Sequence, residues 1–250
     1  MRFDAVLQVP SPPEFRHTDL MPDIIFEDVH VSYDEVPVLS GINLRLSEHR
    51  IGIIGANGGG KSTLARLING LGEPTQGRVL VDGLNVADHG RTVRRRVGFV
   101  FSDAENQIIM PRVRDDIDFS LRQLKLPRAE RRQRVDEMLE RFELAGHAEH
   151  SPHLLSGGQK QLLALAAVLV LQPEVIVADE PTTLLDLRNR QRIRREFDAL
   201  EQQLIVVTHD LNFLSGFERV LCIDEHQIVA DGPPTEVIDH YLGLMEARPL

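Results

Sequence analysis

Gly55-Ala56-Asn57-Gly58-Gly59-Gly60-Lys61-Ser62 follows an apolar run at 51–54 and precedes a segment, 62–71, whose apolar residues recur at helical spacing. Strand, glycine-rich loop and helix in that order make a phosphate-binding loop. Its glycines let successive backbone N–H groups turn toward phosphate oxygens, Lys61 supplies a compact positive charge, and Ser62 offers an oxygen to Mg2+. An incidental glycine-rich turn beside a lysine has no reason to meet both the spacing and the flanking pattern. The residues read as nucleotide contacts are Asn57, Gly58, Gly59, Gly60, Lys61, Ser62 and Thr63, with ATP or GTP as the first ligand to consider.

The rest of the chain narrows the context. Its 250 residues suffice for one large domain, or one core with a helical lobe. No stretch approaches 18 uninterrupted apolar residues, so nothing in it is expected to span a bilayer by itself. A formal charge of −10 argues against nucleic acid as a partner, because coating a duplex calls for a basic face. The single cysteine, Cys222, lies in the apolar run 220–223, which excludes an intrachain disulfide and a thiolate zinc cluster and reads as a buried structural thiol. Pro10, Pro12, Pro13 and Pro22 stand among polar residues with no continuous apolar core of the secretory kind. Residues 1–22 are therefore expected to be a poorly ordered tail before a domain over 23–250, in a cytosolic protein without short repeats.

Alternation at Ile42, Leu44 and Leu46 predicts a half-buried strand ahead of the loop. Further β-prone runs stand at 78–81, 97–101, 175–178, 204–207 and 220–223, several separated by helical patterns. This order predicts an α/β core whose strands end at ligand-bearing loops. Between Asp115 and Pro152 the pattern changes, and Val135, Met138, Leu139 and Phe142 form one apolar helix face with Pro127 near its start. A helical subdomain over about 115–170 is expected there.

A second chemical centre follows at Val175-Ile176-Val177-Ala178-Asp179-Glu180. An apolar strand ending in two carboxylates can hold Asp179 near Mg2+ while Glu180 polarises a water attacking the γ-phosphate. Upstream, Leu155-Ser156-Gly157-Gly158-Gln159 begins another helix with an apolar stripe at Leu162, Leu165, Ala166 and Leu169. Ser156 and Gln159 have capping-box spacing. The two glycines make this start either a structural cap or a second phosphate contact.

Taken in order, the loop at 55–63, LSGGQ at 155–159, the carboxylate strand at 175–180, Asp186 and His209 closely resemble an ABC-type ATPase over residues 24 to about 240. The resemblance implies a phosphate-loop α/β core with an antiparallel β subdomain and an inserted helical subdomain. It implies a head-to-tail dimer in which Ser156 and Gly158 complete the ATP site of the facing subunit and Asp186 communicates across the interface. His209 would touch the γ-phosphate and Tyr33 would stack on adenine. Glu180, His209 and Lys61 then carry catalysis, and ATP-bound Mg2+ is held by Ser62 and Asp179. Two positions depart from the pattern: Ser102 stands where the family has a glutamine, and Gly59 where a serine is common. Serine is too short for the glutamine's Mg2+ contact, and Gln107 lies five positions later, so that role is transferred to neither.

ABC ATPases of this kind energise separate membrane subunits. The segments 24–29 and 102–113 look most like energy-coupling-factor importers of vitamins, cobalt or nickel, and the compact end after Gly232 looks most like the ATPase subunit of biotin uptake. The implied partners are a second ATPase subunit, expected to be an identical copy, a transmembrane coupling protein and a membrane substrate-binding protein. The implied place is the cytoplasmic face of the membrane. Competing readings are an ATPase of another solute transporter, a repair or translation ATPase, which would need an inserted coiled coil or tandem domains, and a non-hydrolytic regulatory module suggested by Ser102.

Overall fold

The computed structural model describes residues 21–183 and 185–248. The tail expected at 1–22 therefore lies outside the described residues, apart from Met21 and Pro22. The fold begins with β1 (Ile24–Tyr33) and β2 (Val36–Leu46). They are joined by Asp34 and Glu35 at φ 48° and 66°, the two left-handed residues a tight hairpin of right-twisted strands requires. Next come β3 (Arg50–Gly55), α1 (Lys61–Ile68), β4 (Gln76–Val81), β5 (Leu84–Asn85), α2 (Val86–Arg96) and β6 (Val97–Val100). The helical region holds α3 (Val113–Leu121), α4 (Arg128–Arg141) and α5 (Gly157–Leu169). The chain then runs through β7 (Val175–Asp179), α6 (Leu187–Asp198), β8 (Gln203–Val207), β9 (Arg219–Asp224), β10 (Gln227–Gly232) and α7 (Pro234–Glu246).

Two sheets result. One is antiparallel in the order β2-β1-β4-β5; the other runs β10-β9-β3-β8-β7-β6, all parallel except the edge strand β10. The parallel strands are buried at nearly every position and mostly apolar, because both their faces are covered. Ile51, Ile53, Val177, Ile205, Val207, Leu221 and Ile223 face a core shared with α1 and the antiparallel sheet. The alternate residues Ile54, Ala178, Val206, Val220 and Cys222 face a second core shared with α3, α4, α5 and α6.

α1 is shorter than its apolar spacing suggests, ending at Ile68 where the spacing continued to Leu71. Gly70 takes φ 70°, its N–H donates to Leu67 O and that of Leu71 to Arg66 O, closing the helix with a left-handed cap. α5 departs the other way: instead of one buried stripe, every residue from Gln161 to Leu169 is buried, since α3, α6 and β6 surround it. Burial of a side chain the size of Leu162, Leu163 or Leu165 contributes about 1.5–3 kcal/mol, which ties the helical layer to the parallel sheet. β6 stops at Val100, one residue before the expected end, because Phe101 is held sideways by glutamines.

Candidate active site

The site is assembled where neighbouring parallel strands end together. Ile53 of β3 pairs with Val207 of β8, and Val207 pairs with Asp179 of β7. The phosphate loop after β3, His209 after β8 and the carboxylates of β7 thus emerge side by side, the place where open α/β sheets bind ligands.

The loop's glycines are needed at particular points. Gly60 caps α1 at φ 101°, and a Cβ there would lie 2.5 Å from Val38 O; at Gly55, φ 143°, it would lie 2.0 Å from Ile223 O. Gly59 differs, with ordinary φ and a Cβ position 3.2 Å from both Ala56 O and Ile223 O. A serine there would need a shift of only a few tenths of an ångström, so the departure at 59 changes the loop little. No side chain caps the first turn of α1 and no acidic residue enters it, which leaves its N–H groups directed at an anion. Lys61 is 7% exposed and donates to Gly55 O at 2.9 Å and Ala56 O at 2.8 Å. Burial pulls its pKa down, while the charges of Glu180 and Asp179 oppose that shift.

Ser62 Oγ donates to Asp179 Oδ1 at 2.8 Å across 117 positions of sequence, and Arg66 Nη2 lies 3.7 Å from Asp179 Oδ2. A hydroxyl and a nearly buried carboxylate in contact beneath a phosphate loop are the hard oxygen donors that Mg2+ takes beside phosphates; the residues fit a nucleotide-bound ion. Among the described residues no group of three or more His, Cys, Asp or Glu is arranged to hold a metal.

Glu180 sits at φ 53° with its N–H donating to Val207 O, so the strand turns sharply and aims this carboxylate away from Asp179. Its Oε2 accepts from Thr183 Oγ1 at 3.3 Å and from the backbone N–H of His209 at 3.3 Å, and lies 2.7 Å from His209 Nδ1. Contacts converging on one oxygen fix the orientation of this carboxylate, a group of the kind that can take a proton from water. The structure thus brings Lys61, Ser62, Asp179, Glu180 and His209 together.

Three other expected site residues stand apart. Ser156 caps α5 in a full capping box: its Oγ accepts from Gln159 N at 3.3 Å, and Gln159 Oε1 accepts from Ser156 N at 2.9 Å. Gly158 abuts α6 so closely that a Cβ would lie 2.2 Å from Asn189 Oδ1. Asp186 caps α6, with Oδ1 accepting from Asn189 N at 2.8 Å and Oδ2 from Asn189 Nδ2 at 3.1 Å. Asn189 therefore bonds Asp186 and lies against Gly158, a neighbour the sequence reading did not single out. Among the described residues no hydrogen bond or ion pair joins Ser156, Gly158 or Asp186 to the loop 55–63. Tyr33 ends β1 in the antiparallel sheet with 58% of its surface exposed, free to offer a ring face.

Gln107 does not take the place of a glutamine at 102. Its Oε1 accepts from Phe101 N at 3.1 Å and its Nε2 donates to Ala164 O at 3.2 Å, so the amide is spent fastening the loop to α5. Beyond it a 240 Å3 cavity opens among Ile108, Ile109, Met110, Pro111, His153 and Lys160. Asp116 holds one wall, its Oδ1 accepting from the N–H groups of Ile109 at 2.9 Å and Met110 at 3.0 Å.

A family model described as ABC transporter matches residues 39–183. The chain is 54% identical over 214 residues to a Deinococcus radiodurans protein with the provisional name of ABC transporter ATP-binding protein, spanning 85% of this chain and 95% of that one. It is 46% identical to the biotin transport ATP-binding protein BioM of Rhizobium etli, spanning 88% and 97% of the two chains. It is 39% identical to the energy-coupling factor transporter ATP-binding protein EcfA of Methanothermobacter thermautotrophicus, spanning 86% and 72%. Among solved structures it is similar to cbiO1 of Clostridium perfringens, part of the ABC transporter complex cbiONQ, with a TM-score of 0.77, 31% identity and 89% and 93% of the chains covered.

Proposed function

The chain belongs to the ABC transporter ATP-binding family, and from that premise we propose that this ATP-hydrolysing subunit energises an energy-coupling-factor importer, with biotin as the cargo. The observation that carries the catalytic part is the meeting of Ser62 with Asp179 at 2.8 Å and of Glu180 with His209 at 2.7 Å beside the phosphate loop. Lys61 and the loop N–H groups, from Asn57 to Thr63, hold the phosphates of ATP, and Tyr33 stacks on its base. Ser62 and Asp179 hold the Mg2+ that arrives with ATP, which neutralises phosphate charge. Glu180 orients a water and takes its proton as the water oxygen bonds to the γ-phosphorus and the bond to the ADP oxygen breaks. His209 holds Glu180 and reaches the γ-phosphate.

Ser156, Gly158 and Asp186 make no hydrogen bond to their own loop among the described residues, and they act on the nucleotide of a second copy in a head-to-tail dimer. The chain itself carries no helix long and apolar enough to cross a membrane among the described residues. Its place is the cytoplasmic face, held through membrane partners. The cavity beside Ile109, which is 62% exposed, receives a transmembrane coupling protein, which a substrate-binding membrane protein accompanies. The biotin reading is supported by the 46% identity to BioM over nearly its whole length. The second reading keeps the importer class and replaces the cargo with cobalt or nickel ions, as the energy-coupling-factor resemblance of the sequence also allows.

Mass spectrometry of the complex purified from native membranes, with its bound small molecules, tests the reading. A small transmembrane coupling subunit together with a biotin-loaded membrane protein is expected. Recovery of a metal-loaded partner would move the cargo to cobalt or nickel, and recovery of unrelated permeases would overturn the importer class while leaving the ATPase.

A further inference from the structure

Behind the phosphate loop, β9 ends at Asp224 and turns back into β10 through Glu225 and His226, both left-handed at φ 46° and 70°. This turn supports the loop from two sides. On one, Ile223 pairs with Gly55, and its carbonyl oxygen would stand 2.0 Å from a Cβ at Gly55 and 3.2 Å from one at Gly59. On the other, His226 O accepts from Ser40 N at 2.9 Å and the His226 ring lies 3.3 Å from Val38 O, the atom that presses on Gly60. The approach is too close to admit a side chain at Gly55 or Gly60, so turn and loop pack backbone against backbone and a shift of the turn is felt by the loop.

The turn is in its own right anchored from the end of the chain. α7 packs on β9, β10 and β3. Just beyond it, Arg248 Nη2 donates to both oxygens of Asp224 at 2.7 and 2.6 Å. Asp224 is 7% exposed, and without its partner it would be a nearly buried, unpaired anion. That anion would sit behind the loop that must accept the phosphates of ATP. Burial first, then the charge of Asp224, push the Cys222 thiol up to about 11, with Lys61 and Arg248 acting the other way. Asp224, Arg248 and the loop lysine therefore share one electrostatic neighbourhood around Cys222.

We propose that Arg248 acts on ATP binding through Asp224: by pairing with that carboxylate it cancels a negative charge behind the bound phosphates. This rests on ATP as the ligand and adds to that reading a part for the C-terminal helix in setting ATP affinity.

The test compares the full-length protein with Arg248→Ala, Asp224→Asn and the double variant. ATP affinity is measured by titration calorimetry, KM and kcat by phosphate release, and the unfolding midpoint by thermal denaturation. Arg248→Ala should weaken ATP affinity and raise KM by about three- to tenfold with kcat within about twofold, an effect of the size of one uncompensated, partly screened charge. Adding Asp224→Asn should return both to within about twofold of the natural protein, because it removes the charge Arg248 neutralised. Unchanged ATP affinity in Arg248→Ala, whether or not the midpoint falls, would overturn the proposal by leaving the pair a purely structural tie. Failure of the double variant to recover would overturn it equally. Should the natural protein bind ATP without releasing phosphate, hydrolysis would be lost as a reading while the affinities still decide the part of Arg248.

Discussion

Glu180 holds the most consequential position in the site, and its surroundings predict what one atom's change does. Glu180→Gln keeps an oxygen to accept from His209 and Thr183, so the local fold and ATP affinity should persist within about twofold. It removes the proposed base, so steady-state phosphate release should fall by about a hundredfold or more; retention of the natural rate would strip Glu180 of its role. The carboxylate pair was legible at this scale because Asp179 and Glu180 are adjacent in sequence after an apolar run. Their partners were not legible from spacing: Ser62 lies 117 positions from Asp179, and His209 lies 29 from Glu180. Arg248 and Asn189 gave no signal at all, since an arginine after a terminal helix and an asparagine in a charged helix are ordinary until the fold places them.

Among the elements, α3 carries a buried charge whose pH dependence can be worked out. Burial raises the Asp116 pKa above its ordinary value of 3.8, opposed by the N–H groups of Ile109 and Met110. A group raised in the folded state contributes most to stability below its unfolded value and loses that contribution as pH rises through the folded value. Asp116 is therefore most favourable below about pH 3.8 and less so toward neutrality. Asp116→Asn retains an acceptor and carries no charge, so its stability relative to the natural protein should grow between pH 4 and 7 in denaturant unfolding. Parallel pH profiles for the two would show that the buried charge is fully compensated. Element boundaries were missed both where a neighbour ends the element, as at Phe101 after β6, and where a local glycine does, as at Gly70 after α1. The capping box at Ser156 started α5 as its spacing implied, but the burial of α5 on all sides depends on α3, α6 and β6, which no periodicity within α5 reports.

For the whole molecule, the question is how hydrolysis is passed to a partner. The loop from Ser102 leads to the cavity beside Ile109, and Gln107 is already committed to Phe101 and Ala164. Ser102→Gln should therefore change the cargo transported per ATP hydrolysed by the assembled transporter, measured in reconstituted vesicles, with little effect on ATP binding by the subunit alone. Equal coupling ratios would mean the loop already works without a glutamine. The proposed head-to-tail dimer belongs to this scale as well, because Ser156 and Gly158 make no bond to their own loop among the described residues.

By itself the sequence determined that a phosphate loop follows a buried strand, that two carboxylates end another, and that a capped glycine turn opens a helix. Each depends on neighbours within a few residues, where backbone freedom, capping and alternation act. Only the tertiary structure decided that β3, β8 and β7 lie side by side, bringing Ser62 to Asp179 and Glu180 to His209, and that the chain's end reaches back to Asp224 beneath the loop. Strand order and long-range ion pairs are fixed by how two sheets and a helical layer share their apolar faces, a property of the packed whole that no local stretch encodes.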